Sequence, residues 1–253
     1  SILKELEAIA SQPDFNGTIT DIGGPTVNLY EAHCDFWKGK GACKARRCLF
    51  PDRCVNLKLG YAKTIELWKR AGLIKRVKHV FVGSGVRYDL LNDKESDEFM
   101  KHLCASHVSG QLKVAPEHSE PHMLEAMRKP HFGAYELFVR RFDAVNKALG
   151  KKQFLVNYFI SGHPGATTED ALKLSLKLKK MRIYPEQIQD YIPLPMTASG
   201  AMYHTGNDPF SGRRIYVEKG PRARRLQRAL IQYKNEDNKK YVIEALRLLG
   251  RMD

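Results

Sequence analysis

Four of the five cysteines of this chain lie in one short segment, CDFWKGKGACKARRCLFPDRC, between Cys34 and Cys54. Their spacing is Cys34-x8-Cys43-x4-Cys48-x5-Cys54, which lacks the close C-x2-C pairs that zinc ribbons usually show. The surrounding residues 29–60 contain seven lysines and arginines, and nearby positive charge favours the thiolate form that binds metals. The segment also has few apolar residues, so something other than a hydrophobic core must order it.

We therefore predict that Cys34, Cys43, Cys48 and Cys54 bind an auxiliary metal. The identity of the metal is left open between zinc and an iron–sulfur cluster, because each can take four thiolates. Unligated thiols and disulfides stay open as alternatives. Disulfides need an oxidising compartment, and nothing in the sequence suggests export, so we expect a cytoplasmic protein.

Three other places in the chain could carry chemistry. His118 and His122 have i, i+4 spacing, but Pro121 between them favours the start of a helix over a pair of metal ligands. Lys113, at the end of a predicted strand, could form a Schiff base, although a polar strand residue is the simpler interpretation. Cys104 falls in a helical pattern and is predicted to be a buried core residue.

Short β-branched runs alternate with helical patterns, which predicts βα units and a parallel sheet. The predicted strands are 17–22, 77–84, 110–115, 152–160 and 187–194, and the predicted helices are 64–75, 95–108, 133–149, 169–181, 222–233 and 239–250. In the helix at 169–181, Leu172, Leu176 and Leu178 are predicted to form one buried face. Thr167 and Asp170 are predicted to cap that helix.

The gap between the first two predicted strands is about 30 residues longer than the other gaps. We therefore interpret the cysteine segment, at about 29–60, as an insertion into the βα pattern. Five such units could form a doubly wound sheet or most of a barrel. In either fold, the loops at the carboxyl ends of the strands should carry the chemistry.

The formal net charge of +14 points toward anionic partners, and its distribution is uneven. Residues 212–251 hold twelve basic against four acidic side chains, whereas 29–60 hold seven against three. A solubilising surface and a nucleic-acid or nucleotide-bearing partner are both compatible with this pattern. No run of eighteen apolar residues occurs, so we expect no membrane partner.

The sequence starts directly on a helical pattern and lacks an initiator methionine. Ile2, Leu3, Leu6 and Ile9 repeat at helical spacing, and Ser1 is placed as an N-cap. We therefore expect a piece of a longer protein.

Five ordered blocks together resemble the radical S-adenosylmethionine superfamily, and most closely its YgiQ-type family. These blocks are DIGGPTVNLY at 21–30, SGVRYDLL at 84–91, LKVAPEHSEPHMLEAMRKP at 112–130, YFISGHPGATTEDA at 158–171 and PLPMTASGAMYHTG at 193–206. The resemblance also takes in the cysteine segment and the last forty residues, so it covers nearly the whole chain.

The resemblance implies a partial (β/α) barrel at 1–210, with the cysteine insertion, followed by a basic C-terminal helical extension at 211–253. It further implies a [4Fe–4S] cluster and S-adenosylmethionine as cofactors. In such enzymes, reductive cleavage of the sulfonium releases a 5′-deoxyadenosyl radical that abstracts hydrogen from a substrate. The substrate is not implied; RNA or another anion would suit the basic tail.

The resemblance also implies which residues meet the cofactor. Gly23 and Gly24 match a glycine pair that approaches its methionine amino group, although Pro25 stands where many relatives have an acidic residue. Ser84 and Arg87 would meet its carboxylate or ribose. Three further strand-end positions complete the expected set, and they are Glu117, Ser161 and His163. Pro195 would lie near the adenine.

The chain departs from the family in one decisive feature. The family's cluster is held by a CxxxCxxC loop after the first barrel strand, and this spacing occurs nowhere in the 253 residues. We expect the loop to precede Ser1, in a missing N-terminal part, and the chain alone to be inactive. The alternative is a non-catalytic, metal-stabilised nucleic-acid-binding domain.

Overall fold

The computed structural model of this chain describes residues 1–22, 26–41, 43–44 and 47–252. The predicted cofactor contacts Gly23 and Gly24 lie outside the described residues. The chain divides into two compact units, each of which is formed from two pieces of sequence. The first unit comprises Ser1–Val114 and Gly133–Val156, and the second comprises Ala115–Phe132 and Asn157–Asp253.

The elements follow one another in the alternating order that the sequence indicates. The first part of the chain contains α1 (Ile2–Ser11), β1 (Thr18–Ile19), β2 (His33–Cys34), α2 (Asp35–Lys40), β3 (Leu57–Lys58), α3 (Tyr61–Gly72), β4 (His79–Val80), α4 (Asp97–His102) and β5 (Gln111–Glu117). The rest contains α5 (Pro121–Ala126), α6 (Phe132–Leu149), β6 (Phe154–Ser161), α7 (Thr168–Lys180), β7 (Ile188–Asp190), α8 (Ala198–Thr205), α9 (Pro221–Ile231) and α10 (Lys239–Leu248).

Two strand pairs of the βα pattern are parallel. In the first unit, β1 pairs with β4 in the register Thr18↔His79, and in the second unit β6 pairs with β7 in the register Phe159↔Ile188. Strand order in the largest sheet is β5-β6-β7, so neighbours in the sheet are also neighbours in the sequence. The predicted α/β class with parallel strands is confirmed, and closure into a partial barrel stays a prediction.

Each unit has its own buried core. In the first, the rings of Trp68 and Phe99 are both at most 1% exposed and lie 5.1 Å apart. The same core contains Cys104, which is fully buried as predicted, and burial raises its thiol pKa to about 12. In the second, α7 packs on α9, where the Ser175 hydroxyl donates to the Leu230 carbonyl over 2.7 Å.

The predicted buried face of α7 is wrong at one position. Leu172 and Leu178 are buried, whereas Leu176 is 48% exposed. The buried face instead follows Ala171, Leu174 and Leu178, at i, i+3 and i+7. At about 100° per residue, Leu176 points well away from that stripe.

Candidate functional site

The carboxylate of Asp21 joins the ends of β1 and β4 in the first unit. It accepts hydrogen bonds from the backbone N–H of Gly83 (2.8 Å), from that of Ser84 (3.1 Å) and from the Ser84 hydroxyl. A Cβ atom on Gly83 would lie 2.8 Å from the Thr20 carbonyl oxygen, so this approach requires glycine. The predicted strand 77–84 is shorter in the structure, where β4 ends at Val80, so Ser84 lies in the loop after the strand with its side chain bound to Asp21.

Arg87 lies in the same loop, four residues after Gly83. Both its backbone and its side chain are held by hydrogen bonds. Its guanidinium Nε forms an ion pair with Asp89 over 3.0 Å, and a second nitrogen donates to the Leu49 carbonyl over 3.2 Å. Leu49 belongs to the cysteine segment. Arg87 therefore connects a strand-end loop with that segment, and its predicted contact with a cofactor stays a prediction.

Glu117 ends β5 in the second unit with a backbone φ of 65°, a left-handed conformation that is uncommon for this residue type. Its carboxylate forms an ion pair with Lys129 over 3.2 Å. Burial raises the pKa of Glu117, and the Lys129 ammonium opposes that rise. Lys129 also donates to the Ala115 carbonyl over 3.2 Å, which fixes the charged pair beside the strand.

His163 follows the end of β6 and is 3% exposed. Its Nδ1 lies 2.7 Å from the Pro164 carbonyl, and its Nε2 lies 2.8 Å from the Ser199 hydroxyl. Burial lowers the pKa of His163 to about 4, so the ring is neutral at pH 7. Since a carbonyl only accepts, Nδ1 carries the proton and Nε2 accepts the hydroxyl proton of Ser199.

Two hydroxyl groups beside His163 have no hydrogen-bond partner among the described residues. Ser161, at the last position of β6, is 2% exposed, and its Oγ is unpartnered. The Tyr191 hydroxyl, just after β7, is also unpartnered, and its ring packs edge-on against His163 with centroids 5.0 Å apart. Because nearly all buried polar groups have a partner, these two hydroxyls are available to a water molecule or to a ligand.

A second buried histidine of the same unit was given no role by sequence reasoning. His118 is 1% exposed, and its Nδ1 accepts the backbone N–H of Glu120 over 3.1 Å. Burial is the main reason that the pKa of His118 is lowered to about 4. The charge of Asp170 raises this pKa, whereas the nearby His122 and His163 lower it further. His122 Nε2 lies 3.4 Å from the Asp170 carboxylate. A helix does begin at Pro121, as predicted from the sequence.

Pro195 lies in an exposed loop between β7 and α8. Ile192, Leu194 and Met196 alternate with prolines in this loop and are 61% exposed or more. Met196 also has a φ of 62°, which is unusual for a residue with a large side chain. The structure places Pro195 near the strand end that the sequence predicts, and its contact with adenine stays a prediction.

The four cysteines of the insertion are free thiols. Cys34 lies on β2 opposite Leu57 of β3, and this short antiparallel pair forms the base of the segment. Among the described residues, no group of three or more His, Cys, Asp or Glu side chains is gathered closely enough to hold a metal ion. Metal binding by Cys34, Cys43, Cys48 and Cys54 therefore stays a prediction.

None of the helices in the described part of the chain is both long enough and apolar enough to cross a membrane.

Comparison with known proteins finds similarity along the entire chain. A UPF0313 protein of Methanosarcina mazei is 45% identical over 253 residues, a UPF0313 protein of Methanocella arvoryzae is 44% identical, and one of Clostridium botulinum is 42% identical. Residues 186–253 match a family model described as a domain of unknown function, DUF3362. The chain covers 40%, 42% and 40% of the length of these three relatives, so it is similar to a part of each UPF0313 protein.

Proposed function

We propose that this chain is part of the core of a radical S-adenosylmethionine enzyme. The UPF0313 relatives belong to the YgiQ family, whose motifs the five sequence blocks resemble. The strands β5, β6 and β7 lie side by side in chain order, and β6 and β7 are parallel, which suits a partial barrel. Polar side chains stand in the loops after β4 and at the ends of β5 and β6.

One observation carries this proposal, namely the buried and unpartnered hydroxyl of Ser161 at the end of β6. Leaving such a hydroxyl unbonded costs free energy, so it needs a partner, and a water molecule or a ligand with hydrogen-bonding groups would supply one. S-adenosylmethionine offers an amino group, a carboxylate, ribose hydroxyls and adenine nitrogens. The Ser161 and Tyr191 hydroxyls of the second unit therefore fit a role in holding it.

The iron–sulfur cluster of this chemistry has no ligand set in the chain. The cysteines of the insertion lack its CxxxCxxC spacing and follow β1 in an insertion. When bound to such a cluster, S-adenosylmethionine supplies a carbon radical that removes hydrogen from a substrate. The residues of this chain would bind and orient the cofactor and exclude water from it.

The rival function, nucleic-acid binding by the basic tail, is less well supported. Several arginines of α9 are engaged within the second unit. Arg222 pairs with Glu244 over 2.6 Å, Arg228 pairs with Asp190 over 3.0 Å, and Arg224 donates to the Tyr191 carbonyl. These side chains hold α9 against its neighbours, and their charge is partly neutralised there.

Cofactor binding by matched serine variants tests the proposal. Ser161→Ala removes a buried hydroxyl without a partner, whereas Ser175→Ala removes one that donates to Leu230. In equilibrium dialysis of the full-length polypeptide with labelled S-adenosylmethionine, Ser161→Ala should weaken binding about fivefold, as for one lost hydrogen bond of about 1 kcal/mol. Ser175→Ala should leave the affinity unchanged. No binding by the wild type, or equal affinities for all three proteins, would overturn the proposal.

A further inference from the structure

We propose that a groove in the first unit binds a small phosphate monoester that carries a hydroxyl group. The groove has a volume of about 540 Å³, and it lies between α3, the start of β4 and the turn that precedes β5. Trp68, Lys78, His107 and Lys151 are among the residues that line it. Its volume is within the range of small-molecule sites. This site does not rest on the proposed function.

The groove lies at the amino end of β4. Lys78 and His79 line it, and their backbone N–H groups both donate to the Gly17 carbonyl, over 2.7 Å and 3.1 Å, at the point where β1 and β4 begin. Ser84, by contrast, follows the carboxyl end of β4. In parallel βα folds the reaction takes place at the carboxyl ends of the strands, so we expect the groove to serve a second ligand.

The imidazole of His107 offers a hydrogen-bond acceptor in the wall of the groove. His107 is 9% exposed, and its Nδ1 lies 2.8 Å from the Val80 carbonyl. Because a carbonyl only accepts, Nδ1 carries the proton. Burial lowers the pKa of His107, so the ring is neutral at pH 7 and Nε2 is an acceptor. Among the described residues Nε2 has no partner, so a ligand hydroxyl or a water molecule would supply its donor.

The indole of Trp68 lies against the same imidazole. The two ring centroids are 4.2 Å apart, and Trp68 is 1% exposed. The Trp68 Nε1 donor has no hydrogen-bond partner in the part of the chain that the structure describes. An unpaired donor and an unpaired acceptor in one wall cost free energy, which favours a polar occupant over an empty groove.

An unusual winding of the backbone brings His107 to this place. Residues Leu103–His107 form a π-helical turn directly after α4. The His107 carbonyl accepts the Val82 N–H over 2.9 Å, which fixes the end of this turn beside β4. Turns of this kind are rare and are frequently found at functional sites.

Two lysines give the groove a positive charge. Lys78 and Lys151 both line it, and neither side chain forms an ion pair or a hydrogen bond with a described residue. Lysine binds phosphate as a point charge, and a phosphate monoester carries about −1.5 to −2 near pH 7. Its charge therefore matches two ammonium groups, whereas a single carboxylate would leave one of them without a partner.

Calorimetric titration of the full-length polypeptide with glycerol 3-phosphate tests the proposal. The wild type should bind this probe with a Kd in the millimolar range or below. Lys78→Ala and Lys151→Ala should each weaken binding about tenfold, because each removes a charge-assisted hydrogen bond. Lys152→Ala is the matched control, since Lys152 is exposed and is not among the lining residues. It should leave the affinity unchanged.

His107→Asn separates the hydroxyl contact from the charge contact. The asparagine amide can still donate to the Val80 carbonyl, but it lacks the Nε2 acceptor. The variant should therefore bind glycerol 3-phosphate about fivefold more weakly than the wild type. Sulfate has no hydroxyl to donate at pH 7, so the wild type and His107→Asn should bind it equally.

Two results would overturn the proposal. The first is a wild type that does not bind glycerol 3-phosphate, which would leave the groove to water. The second is an equal affinity for this probe in Lys151→Ala, Lys152→Ala and the wild type. Lys151→Ala should keep its affinity for S-adenosylmethionine, so failure of this site is distinguishable from failure of the proposed function.

Discussion

The side-chain amide of Asn28 binds both backbone polar groups of Arg87. Its nitrogen donates to the Arg87 carbonyl over 2.9 Å, and its oxygen accepts the Arg87 N–H over 2.9 Å. Asn28 is 1% exposed, so these bonds are shielded from water. The pair fixes the loop from which the Arg87 guanidinium reaches Leu49 in the cysteine segment.

Replacing Asn28 with alanine should therefore destabilise the first unit strongly. Two buried backbone groups would lose their partners, at a cost of about 2–4 kcal/mol in the free energy of unfolding. Asn16→Ala is the control, because Asn16 is exposed and accepts only one hydrogen bond, from the Thr18 N–H. This variant should lose about 0.5 kcal/mol in the free energy of unfolding. Urea unfolding measures both, and equal effects would show that the Asn28 pair is not structurally important.

The two buried serines of the second unit should differ in stability as well as in cofactor affinity. Ser175→Ala should cost about 1–2 kcal/mol, because it leaves the Leu230 carbonyl without this donor. Ser161→Ala should change stability by less than about 0.5 kcal/mol, because its hydroxyl has no partner among the described residues. Chemical unfolding without cofactor checks this; a large loss in Ser161→Ala would reveal an internal partner for that hydroxyl.

Stability should fall as the pH drops from about 6.5 to about 4. His118 and His163 both have pKa values lowered to about 4 by burial, against an ordinary value of 6.5. Between these values the unfolded chain binds protons that the folded chain does not, so acid favours unfolding. The loss is about 3 kcal/mol for each histidine, an order of magnitude only, from about 1.4 kcal/mol per pKa unit.

His163→Gln isolates one part of this effect. Since Gln does not titrate, the variant should lose about half of the histidine-dependent decrease between pH 6.5 and pH 4. Glu117, whose pKa is raised, acts in the opposite direction in both proteins and cancels in the comparison. Urea unfolding at several pH values gives the slopes, and parallel slopes for wild type and variant would contradict the buried, neutral state of His163.

The anchoring of the insertion by Arg53 should show in its resistance to protease. Arg53 pairs with Asp93 and Glu95 with 31% of its side chain exposed, so Arg53→Ala should cost about 1 kcal/mol or less overall. The same change should speed tryptic cleavage within 29–60 several-fold, because the segment loses an anchor. Arg213→Ala serves as the control. It removes an ion pair with Glu125 at 3.7 Å, and 74% of the Arg213 side chain is exposed. Unchanged cleavage in Arg53→Ala would mean that other contacts hold the segment.

Local patterns predicted most of the elements because their signals are short-range. Thr167 and Asp170 form the expected capping box on α7, and α6 at Phe132–Leu149 begins one residue before the predicted helix. Ser1 takes the N-cap position of α1, but its side chain makes no capping bond. The predicted helix at 95–108 is divided into a 3-10 turn, α4 and a π-helical turn at Leu103–His107, a change of winding for which the residue pattern gives no signal.

The details of the candidate site depend on long-range contacts, which periodicity does not reveal. Asp21 and Ser84 are 63 residues apart, and Asn28 and Arg87 are 59 apart. The proline after His163 indicated a turn, but the bond from Ser199 forms only when α8 returns to the end of β6. His118 could have been suspected from its position just after a buried strand, although its burial follows from packing in the folded unit.

The formation of 5′-deoxyadenosine tests the central proposal most directly. The full-length polypeptide and the 253-residue chain would each be reconstituted with iron and sulfide without oxygen, then reduced in the presence of S-adenosylmethionine. We expect 5′-deoxyadenosine from the full-length polypeptide and none from the chain alone. A full-length polypeptide with a reduced cluster that leaves S-adenosylmethionine intact, or clear turnover by the 253-residue chain, would contradict it.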